Sequence, residues 1–388
     1  MNAARMPPPA RPGSRAHPAV WILAALAWAA LLTGCGSGNE SSTTPTPPGP
    51  GPTVVRPTPE GEPRHVRLGF STLPPEATTE AYIRTFAAVA QYADVVLIQR
   101  APPWEDFFPN RQLSNETEET TRLETALLGQ YSHLQLFYAI DPTDPLVQRS
   151  RAANLPAGVP PEEGFKNAQV RNALVAYTAY VVTNYRPAYL AIGVEINMLR
   201  DRAPEQFAAF LQAYRDAYDA AKAADPRVKV FPTFQLEDLE GNLGRIHPPQ
   251  WDIIDLFRGK MDALAISTYP YLSGIRTASE LPDEYYAQLR KHWDGEILIS
   301  EAGYASAPVE GQALIGTEAD QAAFLRRLLD DAEANGFSLV VYRAVFDPAY
   351  IAAGAASVFR DIGLRRSDGG NKEAWALWEA WARRPLAP

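Results

Sequence analysis

Residues 189–197 read YLAIGVEIN, an apolar run that leads into a glutamate, and residues 297–304, ILISEAGY, repeat that arrangement later in the chain. Apolar runs without polar alternation are typical of strands that are buried on both faces of a parallel sheet. In α/β barrels, the carboxyl ends of such strands lie at one end and carry the active site. The two glutamates therefore indicate both a class of fold and the place to look for chemistry.

Six further apolar runs precede, separate or follow these two, and amphipathic stretches with helical spacing lie between the runs. Eight strands alternating with helices predict an α/β fold, a single (β/α)8 TIM barrel. A doubly wound open sheet would need a glycine-rich phosphate turn after its first strand, and residues 69–73, GFSTL, do not form one. The predicted strands are Val66–Ser71, Val95–Gln99, Leu134–Ile140, Tyr189–Gly193, Val228–Thr233, Ala263–Thr268, Ile297–Ser300 and Leu339–Tyr342. The clearer predicted helices are 79–91, 118–130, 167–184, 204–223, 282–291, 317–334 and a last one bearing Ala374, Leu377, Trp378 and Trp381.

The N-terminus has the pattern of an export signal. Three arginines precede an apolar run, Ala19–Leu32, which is shorter than the roughly 20 residues that span a bilayer. The run ends in LTGC at 32–35, which resembles the bacterial lipobox. This resemblance implies that Cys35 is lipidated and becomes the new N-terminus. A plain signal peptide with an incidental cysteine is the alternative.

The segment after Cys35 is rich in Ser, Thr, Pro and Gly and has almost nothing to bury, which predicts a disordered tether. The predicted domains are therefore a lipoprotein signal peptide at 1–34, the lipidated cysteine and tether at 35–63, and the barrel at 64–388. In the lipoproteins that this segment resembles, an Asp directly after the lipidated Cys implies retention at the inner membrane. Gly36 occupies that position here. We expect a lipid-anchored protein of the bacterial cell envelope, at the outer membrane.

Composition removes several classes of function. The net charge is -9, so a nucleic-acid partner is not expected. Cys35 is the single cysteine, which excludes a disulfide within the chain and a C-x-x-C motif. The five histidines do not share a helical spacing, which argues against a zinc site and a metal-dependent barrel. We expect no metal, no cofactor and a monomer.

Glu195 and Glu301 lie at the ends of the apolar runs that form the fourth and seventh predicted strands. Two carboxylates about 5 Å apart are the arrangement of retaining glycosidases, in which one is the nucleophile and the other the acid/base. Burial and mutual repulsion separate the pKa values of such a pair. The alternative is that one or both glutamates form salt bridges in the barrel mouth. Glu237 or Asp238, after the fifth strand, is a rival acid.

Four segments carry a family resemblance: IGVEIN at 192–197, STYPY at 267–271, SEAGY at 300–304, and the tail from 363 to 378. On these segments the chain resembles the clan-A glycoside hydrolases, and most of all the arabinogalactan endo-β-1,4-galactanase family and related barrel lipoproteins. The resemblance implies a retaining glycoside hydrolase for a β-linked polysaccharide or oligosaccharide. It makes Glu195 the acid/base, Glu301 the nucleophile and Tyr269 the residue that holds the nucleophile.

The resemblance is not complete, because Val194 stands where the clan usually has an Asn that contacts the sugar. A catalytically weakened or inactive carbohydrate-binding barrel lipoprotein is therefore the alternative function. Trp104 is expected to stack on a sugar face or, equally, to anchor its loop. The other residues expected to contact the carbohydrate are Asn197, Arg100, Gln235 and Tyr342.

Overall fold

The computed structural model describes residues 51–244, 246–309, 314–351 and 355–387. The predicted signal peptide, Cys35 and residues 36–50 lie outside the described residues. Nine parallel strands form one sheet: β1 Arg67–Ser71, β2 Val95–Arg100, β3 Gln135–Ile140, β4 Tyr189–Ile192, β5 Lys229–Phe231, β6 Thr233–Gln235, β7 Ala263–Thr268, β8 Glu296–Ala302 and β9 Leu339–Tyr342.

The order of the strands confirms the barrel. Their sequence across the sheet is β5-β4-β3-β2-β1-β9-β8-β7-β6, so β1 pairs with both β2 and β9. The two outermost strands, β5 and β6, follow each other in the chain and are separated by Pro232 alone. Because proline has no backbone N–H, it interrupts the ladder there, and the predicted fifth strand forms as two short pieces. The sheet thus curls round into the predicted (β/α)8 architecture.

Helices pack around the sheet: α1 Thr79–Tyr92, α2 Asn115–Gln130, α3 Ala168–Tyr185, α4 Ile196–Arg202, α5 Pro204–Ala224, α6 Leu236–Leu239, α7 Glu318–Ala334 and α8 Glu373–Arg383. Helix α7 begins at the predicted cap, because the Thr317 side chain accepts a hydrogen bond from the Asp320 backbone N–H at 3.0 Å. Helix α8 buries Trp378 completely, as its apolar stripe predicts.

The helix predicted at 282–291 is wrong in extent, since only a 3-10 turn, Ala287–Lys291, forms there. The reason is that two consecutive tyrosines both bond to side chains near the strand ends, one on α6 and one at the end of β7. The hydroxyl of Tyr285 donates to Glu237 at 2.6 Å, and that of Tyr286 lies 3.3 Å from the Thr268 hydroxyl. Neighbouring residues of an α-helix point about 100° apart and do not face the same partner. These two contacts therefore displace the helix.

Part of the predicted tether lies against the base of the barrel, the end where the strands begin. The backbone N–H of Gly51 donates to the Gln130 side-chain oxygen at 2.8 Å, and the Tyr131 hydroxyl donates to the carbonyl of Pro52 at 2.7 Å. Arg56 forms an ion pair with Asp94 at 3.2 Å. The described part of the tether is thus attached to the ends of α1 and α2.

Candidate active site

A set of buried polar side chains lies where the strands end, which we call the mouth. Glu195 and Glu301 both belong to it, so the expectation that they lie at the same end of the barrel is confirmed. The mouth is formed by side chains that hydrogen-bond to one another or feel each other's charge: Gln99, Asp141, Arg149, Glu195, Ser267, Tyr269, Glu301 and Arg343.

Glu301 is held by two donors. The hydroxyl of Tyr269 donates to Oε1, and Nη1 of Arg343 donates to Oε2 in an ion pair. The strand register shifts between Ile299 and Ala302, and this irregularity is of the kind that re-aims side chains beside active sites. The Glu301 side chain is 13% exposed, which is more than the 3% of the Glu195 side chain.

The pKa of Glu301 is raised, first by burial and then by the charge of Glu195, while Arg343 and the Tyr269 hydroxyl oppose the rise. The two glutamates are therefore electrostatically coupled across the mouth. Burial raises the pKa of Tyr269 far above its ordinary value, and the Glu301 carboxylate raises it further. Tyr269 thus stays protonated and remains a donor to Glu301.

Glu195 is almost completely enclosed. Its backbone has φ +50°, in the left-handed region, and its N–H donates to the Thr233 hydroxyl at 2.9 Å. Its Oε1 accepts from the Ser267 hydroxyl at 2.6 Å, and its Oε2 accepts from Nε of Arg149 at 2.7 Å. Both carboxyl oxygens are thus engaged, and the side chain is 3% exposed.

A glycine makes the turn to Glu195 possible. Gly193 has φ +93°, and a Cβ built on it would lie 2.6 Å from the ring of Phe210 and from Ile196. Any other residue would be strained by its backbone and by these contacts. The sequence IGVE therefore sets Glu195 at the mouth by a local backbone requirement.

Arg149 is the central residue of the mouth that the sequence did not reveal. It lies in the loop after β3, where it and Gln148 are consecutive left-handed residues with φ +58° and +55°. Its Nη1 donates to Asp141 at 2.6 Å and to the Thr143 hydroxyl at 2.9 Å, while Nε donates to Glu195. No motif announces a left-handed pair in such a loop, although Asp141 at the end of the third strand was a visible partner.

A second chain of contacts joins the other side of the mouth. Besides its bond to Glu301, Arg343 donates to the side-chain oxygen of Gln99 at 3.2 Å, and Gln99 donates to Asp141 at 2.9 Å. Asp141 in turn accepts from Arg149. The nucleophile candidate and the acid/base candidate are thereby linked through a continuous network of hydrogen bonds.

Two predicted contact residues face the helices instead of the mouth. Tyr342 packs on Phe70 and Trp378, with ring centroids 6.4 Å from each, and its hydroxyl bonds to the backbone of Tyr304. Arg100 forms an ion pair with the buried Glu124 of α2. Because successive strand residues point to opposite faces, their neighbours Arg343 and Gln99 occupy the mouth. The prediction placed the site on the wrong face at both positions.

Trp104 anchors its loop, which is one of the two roles that the sequence left open. It is 2% exposed, its Nε1 donates to the carbonyl of Ala153 at 2.6 Å, and its ring meets Phe165 edge-on at 6.5 Å. Trp104 and Arg100 border a cavity of about 520 Å³ on the flank of the barrel, lined also by Thr117 of α2 and Tyr180 of α3. Of the two alternatives considered for Trp104, the structure therefore shows the loop anchor.

The side chains of Asn197 and Gln235 form hydrogen bonds within the protein. The Asn197 amide donates to the Gln235 carbonyl at 3.1 Å and to Asp238 at 2.8 Å, and its oxygen accepts the Gln235 N–H at 2.9 Å. The Gln235 side chain bonds to Glu237 and to the Asp238 N–H. Both residues are 0% exposed, which corrects their assignment to the substrate.

The rival acids are also structural. Glu237 accepts from the hydroxyls of Thr268 and Tyr285 at 2.7 and 2.6 Å, away from the Glu195–Glu301 pair. Asp238 forms an ion pair with Arg202 at 2.9 Å. These contacts tie the segment after β6 to its neighbours, so Glu195 and Glu301 remain the candidates for chemistry.

Replacing Arg343 by Met should move the acid limb of a pH–rate profile to higher pH. An ionised Glu301 is the form that can act as a nucleophile, and activity is lost as the pH falls through its pKa. Arg343 lowers that pKa, so its removal should raise it further and shift the loss of activity upward. The measurement is kcat/KM against pH, which reports the free enzyme. An unchanged acid limb in a folded variant would rule out this role for Arg343.

No family model matches the chain, and no curated protein matches it either. Solved structures do match. The chain is similar to an exo-β-1,4-mannosidase from Opitutaceae bacterium strain TAV5, with 16% identity and a TM-score of 0.60 over 83% of this chain and 60% of that one, so it corresponds to only part of the mannosidase. It is similar to a GH5_18 protein from Bifidobacterium longum subsp. longum ATCC 55813 in complex with Manb1-4GlcNAc, with 16% identity, a TM-score of 0.61, and coverage of 84% and 80%.

A third similar structure is native xylanase 10B from Thermotoga maritima, with 10% identity, a TM-score of 0.52, and coverage of 82% of this chain and 95% of that one. The fold is therefore the (β/α)8 barrel that glycoside hydrolases of this kind share. None of these three is named a galactanase, so the resemblance to that particular family stays a prediction.

Two further findings concern the described ranges. Across them, no cluster of three or more His, Cys, Asp or Glu side chains has the geometry to hold a metal ion. Within the same residues, no helix combines the length and the apolar character that crossing a membrane requires.

Proposed function

We propose that the protein is a retaining glycoside hydrolase for a β-linked polysaccharide or oligosaccharide, with Glu301 as nucleophile and Glu195 as acid/base. The observation that carries this proposal is the pair of enclosed glutamates, Glu301 on β8 and Glu195 shortly after β4, which one continuous network of hydrogen bonds joins at one end of the barrel. Two carboxyl groups at one end of a barrel are the machinery that such hydrolysis needs.

The first step breaks the glycosidic bond. Glu301 attacks the anomeric carbon, the leaving oxygen takes a proton from Glu195, and a covalent glycosyl ester forms on Glu301. In the second step, Glu195 takes a proton from water, and the resulting hydroxyl replaces Glu301 at the same carbon. Tyr269 and Arg343 stabilise the departing and attacking carboxylate of Glu301, which they contact in the structure.

The test is hydrolysis of a panel of β-linked polysaccharides, galactan, mannan and xylan among them, followed by NMR of the first product. Retention of the anomeric configuration is expected, together with carboxyl groups of Glu195 and Glu301 about 5 Å apart. Inverted product, which goes with a gap of roughly 6.5–9.5 Å, would contradict the mechanism.

A carbohydrate-binding barrel without full activity is the second candidate. Two observations favour it: Arg149 and Ser267 occupy both oxygens of Glu195, and Val194 offers an apolar side chain beside it. A general acid must release such donors before it can protonate a leaving group. Binding of a polymer without cleavage, unchanged by Val194→Asn, would favour this candidate.

We also propose that the protein is anchored in the bacterial envelope through a lipid on Cys35. Cys35→Ser should move the protein from the membrane fraction to the soluble or unprocessed fraction, because the lipid supplies the membrane affinity. The measurement is fractionation of a bacterial host with metabolic labelling by palmitate. If Cys35→Ser stays in the membrane fraction as the parent does, the anchor lies elsewhere.

A further inference from the structure

The mouth holds two buried guanidinium groups, and neither Trp104 nor Tyr342, two of the residues considered as carbohydrate contacts, belongs to it. Arg149 and Arg343 are 2% and 6% exposed, whereas Trp104 and Tyr342 pack elsewhere in the fold. Guanidinium groups recognise carboxylates through paired, charge-assisted hydrogen bonds. Both groups are paired with carboxylates of the protein, so a carboxylate on a substrate would compete for them in place of one of these partners.

Arg149 is anchored on one side and exchangeable on the other. Its anchor is Asp141, which is held independently by Gln99 at 2.9 Å and by the Thr143 hydroxyl at 3.3 Å. Its other carboxylate, Glu195, has the Ser267 hydroxyl as its further side-chain donor. Nη2 of Arg149 bonds to no atom of the described residues. A new carboxylate would therefore replace Glu195 rather than Asp141.

We propose that the substrate carries a carboxylate, as a hexuronic acid residue does, and that this group takes the place of Glu195 on Arg149. The inference rests on the proposed hydrolase function and names its class of substrate. Displaced from the guanidinium, Glu195 takes up one proton from solvent. One negative charge enters the mouth and one is neutralised, so the net charge of the mouth is unchanged.

This exchange supplies the acid that hydrolysis needs. In the structure, Nε of Arg149 engages one oxygen of Glu195 and the Ser267 hydroxyl engages the other, so neither oxygen is free to face a leaving group. The charged and titratable groups around it are Arg149 with Asp141 behind it, Glu301, and the Tyr269 hydroxyl. With Arg149 occupied by the substrate, Glu195 loses the cation that it contacts, and an enclosed carboxyl group without a cationic partner is favoured in its neutral form. A neutral polymer leaves the Glu195–Arg149 pair intact and is a poor substrate.

The first test compares acidic polysaccharides with the same polymers after chemical reduction of their carboxyl groups to primary alcohols. Linkage and chain length are matched, so only the charged group differs. Wild-type protein should cleave the acidic form at least about tenfold faster, the effect of one charge-assisted contact. Equal rates, or faster cleavage of the reduced form, would overturn the inference while leaving the hydrolase intact. A sulfated polysaccharide and its desulfated form make a second pair, and a preference confined to sulfate would overturn the assignment to carboxylate.

The second test measures binding without turnover, by titration calorimetry of Glu301→Gln with the acidic polymers in two buffers of different ionisation enthalpy. Uptake of roughly one proton per site is expected. Binding without proton uptake would overturn the exchange. If no polymer is cleaved by the wild type while proton-coupled binding of acidic polymers occurs, the hydrolase proposal fails and the acidic ligand stands.

Arg149→Gln should abolish the preference for acidic polymers. Arg227→Gln is the matched control, because Arg227 forms an exposed ion pair with Asp225 before β5 at the base of the barrel. Circular dichroism checks that both variants fold. Should Arg149→Gln not fold, the comparison of acidic and reduced polymers by the wild type still decides the matter. A folded Arg149→Gln variant that keeps the preference would overturn the inference.

Discussion

Glu301→Gln should lower kcat/KM by at least about 10⁴-fold on any polymer that the parent protein cleaves. The amide is nearly isosteric, so Tyr269 keeps a hydrogen-bond acceptor, but it cannot attack the anomeric carbon and form the glycosyl ester. General acid catalysis alone contributes roughly 10²–10⁴-fold, and loss of a nucleophile removes a whole step. The measurement is the rate of release of reducing ends over a wide range of protein concentration.

Glu205→Gln is a suitable control for Glu301→Gln, because Glu205 lies on the surface of α5 with its side chain 86% exposed. It should retain the activity of the parent. A Glu301→Gln variant with a tenth or more of that activity would show that the nucleophile is a different residue. In both variants, Arg343 keeps its hydrogen bond to Gln99. Loss of activity is therefore not expected to result from a rearrangement of the mouth.

Glu195→Gln should lower the rate on natural polymers by roughly 10²–10⁴-fold and have a much smaller effect on 2,4-dinitrophenyl glycosides. A poor leaving group needs a proton as the bond breaks, whereas dinitrophenolate leaves without one. The measurement is kcat/KM for a series of aryl glycosides, plotted against the pKa of the leaving phenol.

In this series, the Glu195→Gln variant should show a steep dependence on the leaving group and the parent a shallow one. Equal losses on all leaving groups would mean that Glu195 does not act as the acid. Ser267→Ala provides a comparison, because it removes a donor to Glu195 and keeps the carboxyl group itself. It should lower the rate far less than Glu195→Gln does.

The barrel could be predicted because its signal is repeated eight times. Each apolar run reports burial on both faces, and the alternation with helices leaves few other architectures. Glu195 and Glu301 were visible for the same reason, since a carboxylate at the end of such a run is exceptional. The split of the fifth strand follows from the missing backbone N–H of Pro232, a local property that the predicted strand Val228–Thr233 did not take into account.

The faces of the strand ends could not be predicted. Tyr342 and Arg343 are adjacent, and so are Gln99 and Arg100, and the sequence does not tell which of each pair enters the mouth. An arginine is an unexpected barrel-lining residue until its carboxylate partner is known. The place of Arg149 in the mouth could not be predicted either, because it depends on left-handed backbone angles and on the buried Asp141, which only the fold brings together.

The attachment of Gly51 and Pro52 to the base of the barrel limits how far the barrel can lie from an anchoring lipid. The tether was predicted to extend from Cys35 to residue 63. Because Gly51 already contacts the barrel, the segment between the lipid and the barrel is only the stretch from Cys35 to Gly51, which spans at most about 55 Å when fully extended. This segment meets the barrel at its base, the end opposite the mouth. For a protein held by Cys35, the attachment to the lipid would therefore lead from the base, and the mouth would be the end of the barrel farther from the point of attachment.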